Sequence, residues 1–317
     1  MKKAFVCALC ALAVMGTLTG CGGTKKLYLR VGAPEESVWL VAAETFRENL
    51  KARTDGRYNV VVVAGTDGGR TDVELESVAK LAERAEGLSI VSVPWLFPDG
   101  YNSVDSLLLS EGPGQESVFS LIRSTGAEPL ALGENGFLQF TSDVRPISVP
   151  SDLEGLKLRV PFDGPASSLL NFLGAETTAL NESAAFSLLQ DAELDGQAAT
   201  LDAIRSSRSY LVQRYLTLWN CAYDPICLSV SGDVWGRLSE EDKTAFRTAA
   251  QEACTAEIAA ARAMYQDTLT EFRESGTEVT ELDTAQIAAF RTMAGPAWTE
   301  CREELGDEAF AVFGYYF

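Results

Sequence analysis

The chain has 317 residues, of which 46% are hydrophobic, enough for a large core and for two domains of roughly 150 residues. It carries 26 Lys and Arg against 45 Asp and Glu, a formal charge of −19, and a surface this acidic repels nucleic acid and anionic lipid. It has no histidine, which excludes imidazole general bases, Ser-His-Asp and Cys-His catalytic pairs and histidine-containing zinc sites, so no catalytic residue, metal or cofactor is predicted.

The N-terminus has the pattern of a secretory signal peptide. Two lysines are followed by an apolar run of about twelve residues, too short to span a bilayer as a helix. Small residues lead to LTGC at positions 18–21, which resembles the lipobox of bacterial lipoproteins. We therefore expect a signal peptide over 1–20, lipidation of Cys21 and a flexible tether over 21–26, which would anchor the protein outside the cytoplasm on the bacterial membrane. The alternative is an ordinary signal peptide or an anchor helix.

The first half of the chain predicts alternating strands and helices. A strand over 27–32, an amphipathic helix over 37–53 and a strand over 58–64 predict a βαβ unit with parallel strands. A helix is predicted over 72–86 and a strand over 88–93. Helices over 103–109 and 115–125 and a strand over 129–132 follow.

After Gly133 the pattern repeats as a second α/β unit. Its predicted elements are a strand over 136–141, a helical turn from Ser151, a strand over 156–160, a helix over 165–173, a helix to Gln190 capped by Asn181, and extended segments over 211–218 and 226–230. A capping box at Ser239 then opens an acidic first turn, and the next helix breaker is Gly276. A helix of roughly 54 Å is therefore predicted over 239–275, long enough to run along both domains.

Export makes the cysteines after Cys21 candidates for disulfides, because disulfides persist outside the reducing cytosol. These are Cys221, Cys227, Cys254 and Cys301, whose spacing fits no CxxC redox or metal motif. A Cys254–Cys301 disulfide is one possibility, since both residues are predicted on C-terminal helices. Four buried free thiols are the other, because a free cysteine behaves as a small hydrophobic residue.

One strand carries two cations on one face of this acidic chain. Alternation over 156–160 places Lys157 and Arg159 opposite the apolar residues of the strand. A solvent-facing edge is one explanation. Alternatively, an arginine in a cleft offers a planar fork of donors for a carboxylate. Aromatic residues that line such a cleft, or that simply fill cores, are Trp39, Trp95, Phe162 and Trp219.

A set of short segments occurs in order along nearly the whole mature chain. They are AETF at 43–46 with TDGR at 54–57, PWLF at 94–97, ENGFLQ at 134–139, PSDLEGLKLRVP at 150–161, LQ at 189–190 with LDGQ at 194–197, YLTL at 215–218 and VWGRLSEED at 234–242. No single piece is specific, but the ordered set resembles the TRAP transporter solute-binding proteins, the DctP-type dicarboxylate-binding group of extracytoplasmic receptors.

The resemblance implies an α/β fold of the periplasmic-binding-protein type, type II-like, with two lobes and a long helix spanning both. We expect lobe I to comprise 27–132 plus about 221–250. Lobe II is expected to comprise 133–220 plus about 277–317.

The same resemblance implies a monomeric, hinged receptor, not an enzyme, that closes on a small organic acid and hands it to a sodium-driven membrane permease. The arginine that clamps the ligand carboxylate in the family falls on Arg159, and Phe162 matches a pocket position just beyond it. Gln197, at the end of the LDGQ segment, and Asn181 are further candidate ligand-binding positions, and Trp39 and Trp219 are candidate packing surfaces.

The sequence departs from the family pattern at three site positions. Leu138 stands where an arginine is usual, Ala199 where a ligand-binding asparagine is usual, and Asn181 where an aromatic residue is expected. We therefore expect Leu138 and Ala199 to be pocket-wall positions around a single carboxylate anchor. Such a pocket would suit a monocarboxylate with an apolar body better than a dicarboxylate or a sugar acid.

The missing polar contacts also fit a different class of protein. A degenerate family member that no longer transports would act as a ligand sensor or a protein-interaction lipoprotein. The apolar segment 310–317 would then be a partner surface, although such a tail can equally pack on its own domain.

Overall fold

The computed structural model describes residues 24–65 and 69–315, in which the chain forms ten β-strands and twelve α-helices. The predicted signal peptide and Cys21 lie outside these residues. Within them, no helix is both long and apolar enough to cross a membrane.

The strands alternate with helices through most of the chain. Strands β1 to β10 are, in order, Lys25–Val31, Tyr58–Ala64, Val73–Ser77, Ala127–Ser142, Lys157–Val160, Glu176–Ala179, Gly196–Thr200, Tyr215–Leu218, Tyr223–Ser231 and Glu278–Glu281.

Helices α1 to α12 are, in order, Trp39–Arg53, Val78–Leu81, Tyr101–Val104, Pro113–Ser124, Pro165–Phe172, Glu182–Gln190, Leu201–Ser206, Gly232–Trp235, Glu240–Glu274, Thr284–Met293, Gly295–Leu305 and Asp307–Ala311. Short 3-10 helices lie at Glu86–Ser92, Pro150–Leu153 and Ser209–Val212, and a π-helical turn lies at Asp105–Leu109.

Two lobes share the long strand β4. Its first part pairs with β9 as far as Phe137, and β9 continues through β3 to β1 and β2. Its second part begins at Leu138 and pairs with β7 and β8, with β5 and β6 beyond β7. We call the β1–β2–β3–β9 side the first lobe and the β5–β6–β7–β8–β10 side the second. The predicted βαβ unit is present, with β1 parallel to β2.

Two predicted elements of the first lobe are wrong. The predicted helix over 72–86 begins as strand β3, whose five residues are all buried because it lies between β1 and β9. The predicted strand over 88–93 is a 3-10 helix, Glu86–Ser92, with Leu88 and Ile90 in a hydrophobic cluster. A short apolar run is compatible with a strand or a helical turn, and tertiary packing made the choice.

The long helix α9 extends over 35 residues, and the hydroxyl of Ser239 accepts a hydrogen bond from the backbone N–H of Asp242 as its N-cap. Phe246 and neighbouring alanines pack into the core of the first lobe. Farther along, Leu269 and Phe272 pack into a cluster of the second lobe. The helix therefore spans both lobes, as predicted.

The last described residues pack on the first lobe. Phe313 meets the ring of Phe97 edge to face, and the hydroxyl of Tyr315 donates to the backbone carbonyls of Trp95 and Leu96. The predicted second-lobe range 277–317 therefore divides: residues from β10 to Ala297 pack in the second lobe, whereas Cys301, Phe310 and Phe313 join a hydrophobic cluster of the first. The described part of this tail is therefore packed on its own chain.

The four described cysteines are buried free thiols. Cys254 lies in the core that α1 and α9 form, whereas Cys301 lies in the cluster beneath the C-terminal helices. The Cys254–Cys301 disulfide is therefore wrong, since the two side chains belong to different hydrophobic clusters. The alternative of free buried thiols describes the structure.

Candidate ligand-binding site

A cleft of about 610 Å³ lies between the two lobes. The first lobe lines it with the loop that follows β1 and with the junction of β3 and α2. The second lobe lines it with the end of β5, the turn before α6 and the start of α7. The cleft thus lies at the carboxyl ends of several strands, which is where open α/β sheets bind ligands.

Arg159 lies in this cleft and is 1% exposed. Strand β5 lies between β6 and β7, so the explanation that Arg159 faces solvent at the edge of a sheet is wrong. Lys157, on the same face of the strand, is exposed. The Nε of Arg159 donates to the carbonyl of Leu180 at 2.8 Å. That bond fixes one edge of the guanidinium on the backbone.

The other edge of the guanidinium has only long contacts. Its Nη1 lies 3.4 Å from Oε1 of Gln197, and its Nη2 lies 4.0 Å from Oε1 of Glu182. Burial lowers the pKa of Arg159, and the nearby Glu182 raises it, but a guanidinium stays protonated in proteins. A buried cation with unsatisfied donors is suited to a carboxylate, which can accept two parallel N–H bonds.

Three further predicted residues line the cleft: Trp39, Phe162 and Asn181. Trp39 is 4% exposed, and its indole Nε1 has no hydrogen-bond partner in the part of the chain that the structure describes. Asn181 is the N-cap of α6, since its side-chain oxygen accepts from the N–H of Ala184 at 2.9 Å. It therefore orders the helix that carries Glu182.

Four predicted site residues lie elsewhere. Leu138 and Ala199, expected on the pocket wall, are buried in separate core clusters, because β4 and β7 pair side by side and both strands are covered. Trp219 packs against Phe140 in the core of the second lobe. Gln197 lies behind Arg159 and donates to Ser209 at 2.6 Å, so it supports the arginine from outside the cleft.

The residue pattern missed an acidic wall in the first lobe. Glu76 is 7% exposed and accepts the N–H of Ser77, and burial raises its pKa to about 7. Asp224 accepts hydrogen bonds from Ser77 at 2.6 Å and Asn135 at 2.7 Å, and burial raises its pKa to about 6. The available signal was the acidic residues inside otherwise apolar strands, Glu74 and Glu76 in β3 and Asp224 in β9.

Two more carboxyl groups face the cleft from the second lobe, Glu182 and Asp202. Burial raises the pKa of Glu182, the Arg159 cation lowers it, and Asp202 raises it. Asp202 accepts the hydroxyl of Ser37 at 2.5 Å and the N–H of Val38 at 3.1 Å, so it connects the lobes. Among the described residues, no cluster has the composition of a metal site.

Comparisons with known proteins agree with this architecture. Residues 31–304 match the DctP family, described as bacterial extracellular solute-binding protein, family 7. The chain is 30% identical over 247 residues to a solute-binding protein from Roseobacter denitrificans, which covers 72% of this chain and 74% of that protein.

Two crystal structures of TRAP periplasmic solute binding proteins are similar throughout. One is from Ralstonia eutropha with bound (S)-2-acetolactate, at TM-score 0.85 and 26% identity over 91% of this chain and 98% of that one. The other is from Polaromonas with bound D-erythronate, at TM-score 0.85 and 27% identity over 92% and 99%. The chain therefore belongs to family 7 of the bacterial extracellular solute-binding proteins.

Proposed function

We propose that this protein is the receptor of a TRAP transporter, which binds a small organic acid by closure of its lobes and delivers it to a sodium-driven permease. The observation that carries the proposal is the buried guanidinium of Arg159 in the interlobe cleft, with one edge fixed and the other lacking close partners. The acids bound by the similar Ralstonia and Polaromonas proteins support it. The receptor acts as a monomer without cofactor or catalysis.

We infer further that the ligand has one carboxylate. Of the two cations that line the described cleft, Arg159 is buried, whereas Lys80 is half-exposed and paired with Glu83. A second carboxylate on the ligand would face Glu76 and Asp224 instead of a cation. Apolar contact comes from Trp39 and Phe162, which supports a ligand with a compact apolar body. The cleft is nevertheless more polar than predicted, because Leu138 and Ala199 do not line it.

Closure of the two lobes explains how a single cation can bind an anionic ligand in so acidic a protein. Exposed charges are screened over about 8 Å at physiological salt, so the overall charge does not prevent an anion from binding. Closing the cleft removes water from around Arg159, which strengthens its attraction for a carboxylate. Reopening at a hinge would then release the ligand to the permease.

A thermal-shift screen of a soluble chain of residues 22–317 against small carboxylic acids tests the proposal. A ligand at about 100 times its Kd adds about 2.7 kcal/mol, which raises the Tm by roughly 5 to 10 °C. We expect such a shift in the parent and in an Arg247→Ala control, because Arg247 is half-exposed outside the cleft. We expect Arg159→Ala to lose the shift and Arg159→Lys to retain little of it.

No shift with any acid, in folded protein freed of ligand by refolding, would refute the proposal and favour a degenerate lipoprotein that senses ligand or binds another protein. A shift of equal size in Arg159→Ala would refute the assigned anchor. Co-purification with a permease from detergent-solubilised membranes would test the transport role separately.

We also propose that the receptor is a lipoprotein anchored through Cys21. The full-length chain should incorporate a palmitate analogue and sediment with membranes, and Cys21→Ser should do neither. A Cys221→Ser variant controls for loss of a thiol, because Cys221 is buried in the second lobe. Membrane association of Cys21→Ser would contradict the anchor without affecting the binding proposal.

A further inference from the structure

The cleft holds two buried carboxyl groups that have no cationic partner. Glu76 and Asp224 both line it and are 7% and 1% exposed. Arg30 and Arg84 both form ion pairs with Glu74. Arg30 attracts the Glu76 carboxylate without an ion pair to it, whereas Glu74 and Asp224 repel it. No ion pair reaches Glu76 or Asp224 from any described residue. Their hydrogen-bond partners are neutral: Ser77 for both, and Asn135 and the backbone N–H of Ala79 for Asp224 alone.

This arrangement is costly for the protein alone. A buried carboxylate without a counter-ion is destabilised, so such groups are ordinarily paired or replaced by neutral ones. A glutamine and an asparagine would accept the same hydrogen bonds from Ser77 and Asn135 without this cost. Two carboxyl groups at one wall of a binding cleft are therefore explained best by a partner that arrives with the ligand.

Other polar groups of the cleft favour the same ligand. Arg159 offers donors on the second lobe, and the indole Nε1 of Trp39 is a buried donor without a protein partner in the described chain. Glu182 lies within 4.0 Å of Arg159 and raises the pKa of Asp224, so the acidic wall continues across the cleft. The cleft thus presents donors for an anion at one place and acceptors for a cation at another.

We propose that the ligand is an amino-carboxylate, whose carboxylate binds Arg159 and whose protonated amine binds between Glu76 and Asp224. An ammonium group supplies three N–H donors and a full positive charge, which is what these two carboxyl groups lack. A hydroxyl group would supply a donor but no charge. This inference rests on the proposed receptor function and narrows its substrate class to zwitterionic acids.

Matched ligand pairs test the inference on the chain of residues 22–317. Isothermal titration would compare the common α-amino acids and short β- and γ-amino acids with the hydroxy acids of the same carbon skeletons. We expect the best amino acid to bind at least about tenfold more tightly than its hydroxy partner. Glu76→Gln and Asp224→Asn should each reduce that preference about tenfold, with the affinity for the hydroxy acid little changed.

Glu116→Gln is the matched control, because Glu116 is an exposed glutamate outside the cleft, paired with Arg123. It should leave the preference unchanged. Circular dichroism would verify that each variant is folded. If a variant is not folded, the comparison of amino acids with hydroxy acids on the parent chain tests the inference.

The outcomes separate the two proposals. Equal or tighter binding of hydroxy acids in the parent would overturn the amino-carboxylate inference and leave the receptor proposal standing. If Glu76→Gln and Asp224→Asn both keep the preference for the amino acid over the hydroxy acid, these two carboxyl groups do not bind the ammonium group. Failure of every acid in both series to bind would overturn the receptor proposal itself and, with it, the inference.

Discussion

Ser37, just before α1 in the first lobe, donates a hydrogen bond of 2.5 Å to the carboxylate of Asp202, on α7 in the second lobe. The same carboxylate accepts the backbone N–H of Val38, and Arg205 one turn later donates to the carbonyl of Glu36 at 3.0 Å. A side chain of one lobe therefore holds the segment that leads into a helix of the other. Since both Ser37 and Asp202 line the cleft, this contact favours the closed arrangement.

We expect Ser37→Ala and Asp202→Asn to weaken ligand binding on the order of tenfold, because each removes part of a charge-assisted contact between the lobes. Calorimetric Kd values for the two variants and for the double variant would measure it. The double variant should lose less binding free energy than the two single variants lose together, because both substitutions act on one contact. Asp233→Asn, at an exposed aspartate outside the cleft, is the control. Unchanged affinity in Asp202→Asn would show that the contact does not stabilise closure.

The stability of the protein should depend on pH through Glu76. Burial raises its pKa from 4.5 to about 7, so the folded chain holds this proton more tightly than the unfolded chain. The stabilisation is complete below pH 4.5 and is lost as the pH rises through 7. Glu76→Gln, which removes the ionisation, should therefore match the parent near pH 4 and exceed it by roughly 1 to 3 kcal/mol at pH 8.

Urea unfolding of both chains at the two pH values measures this difference. Glu83→Gln, at an exposed carboxylate, should change the free energy of unfolding by less than about 0.5 kcal/mol. A Glu76→Gln chain that is less stable than the parent at pH 8 would show that the ionised carboxylate is paired in the folded protein.

Arg262 on α9 secures a buried carboxylate of β4. Its Nη2 lies 2.8 Å from Glu134 and 2.7 Å from Asp105. Burial raises the pKa of Glu134, which is 2% exposed, and Arg262 opposes that rise. Arg262→Met should therefore cost about 3 kcal/mol of unfolding free energy at pH 8, because it leaves Glu134 charged and buried.

The deficit should shrink as the pH falls, because protonation of Glu134 removes the uncompensated charge. Arg247→Met is the matched control: Arg247 also lies on α9 but is half-exposed, 3.4 Å from Glu128, and should cost less than about 1 kcal/mol. Equal losses in the two variants, measured by urea unfolding, would contradict this account.

The cysteines should behave as four unreactive thiols. Burial raises the pKa of each, to about 11 for Cys301, so few thiolates form at neutral pH. In the chain of residues 22–317, alkylation should be slow in the native state and should modify all four cysteines after denaturation without reductant. A reductant should leave the Tm unchanged. Mass spectrometry that finds a Cys254–Cys301 peptide would contradict the free thiols.

The elements that the sequence predicted correctly are those with strong local signals. The predicted bounds of α9 lie within one residue of the observed bounds at each end. The signals were a capping box at Ser239 and the lack of a helix breaker between it and Gly276. The bounds of β2, Tyr58–Ala64, likewise follow from a run that is apolar except for Asn59. By contrast, β4 was predicted as two strands, because its crossing from one lobe to the other depends on partners far away along the chain.

The sequence by itself determined the α/β class, the long helix and, through the resemblance, Arg159 as a cation in a cleft. These follow from periodicity, caps and an ordered set of motifs, all of which are local in the chain. Only the tertiary structure decided which side chains share the cleft with Arg159. It buried Leu138 and Ala199 in the core and placed Glu76 and Asp224 on the wall, because the face that a strand residue presents depends on the register and covering of its sheet.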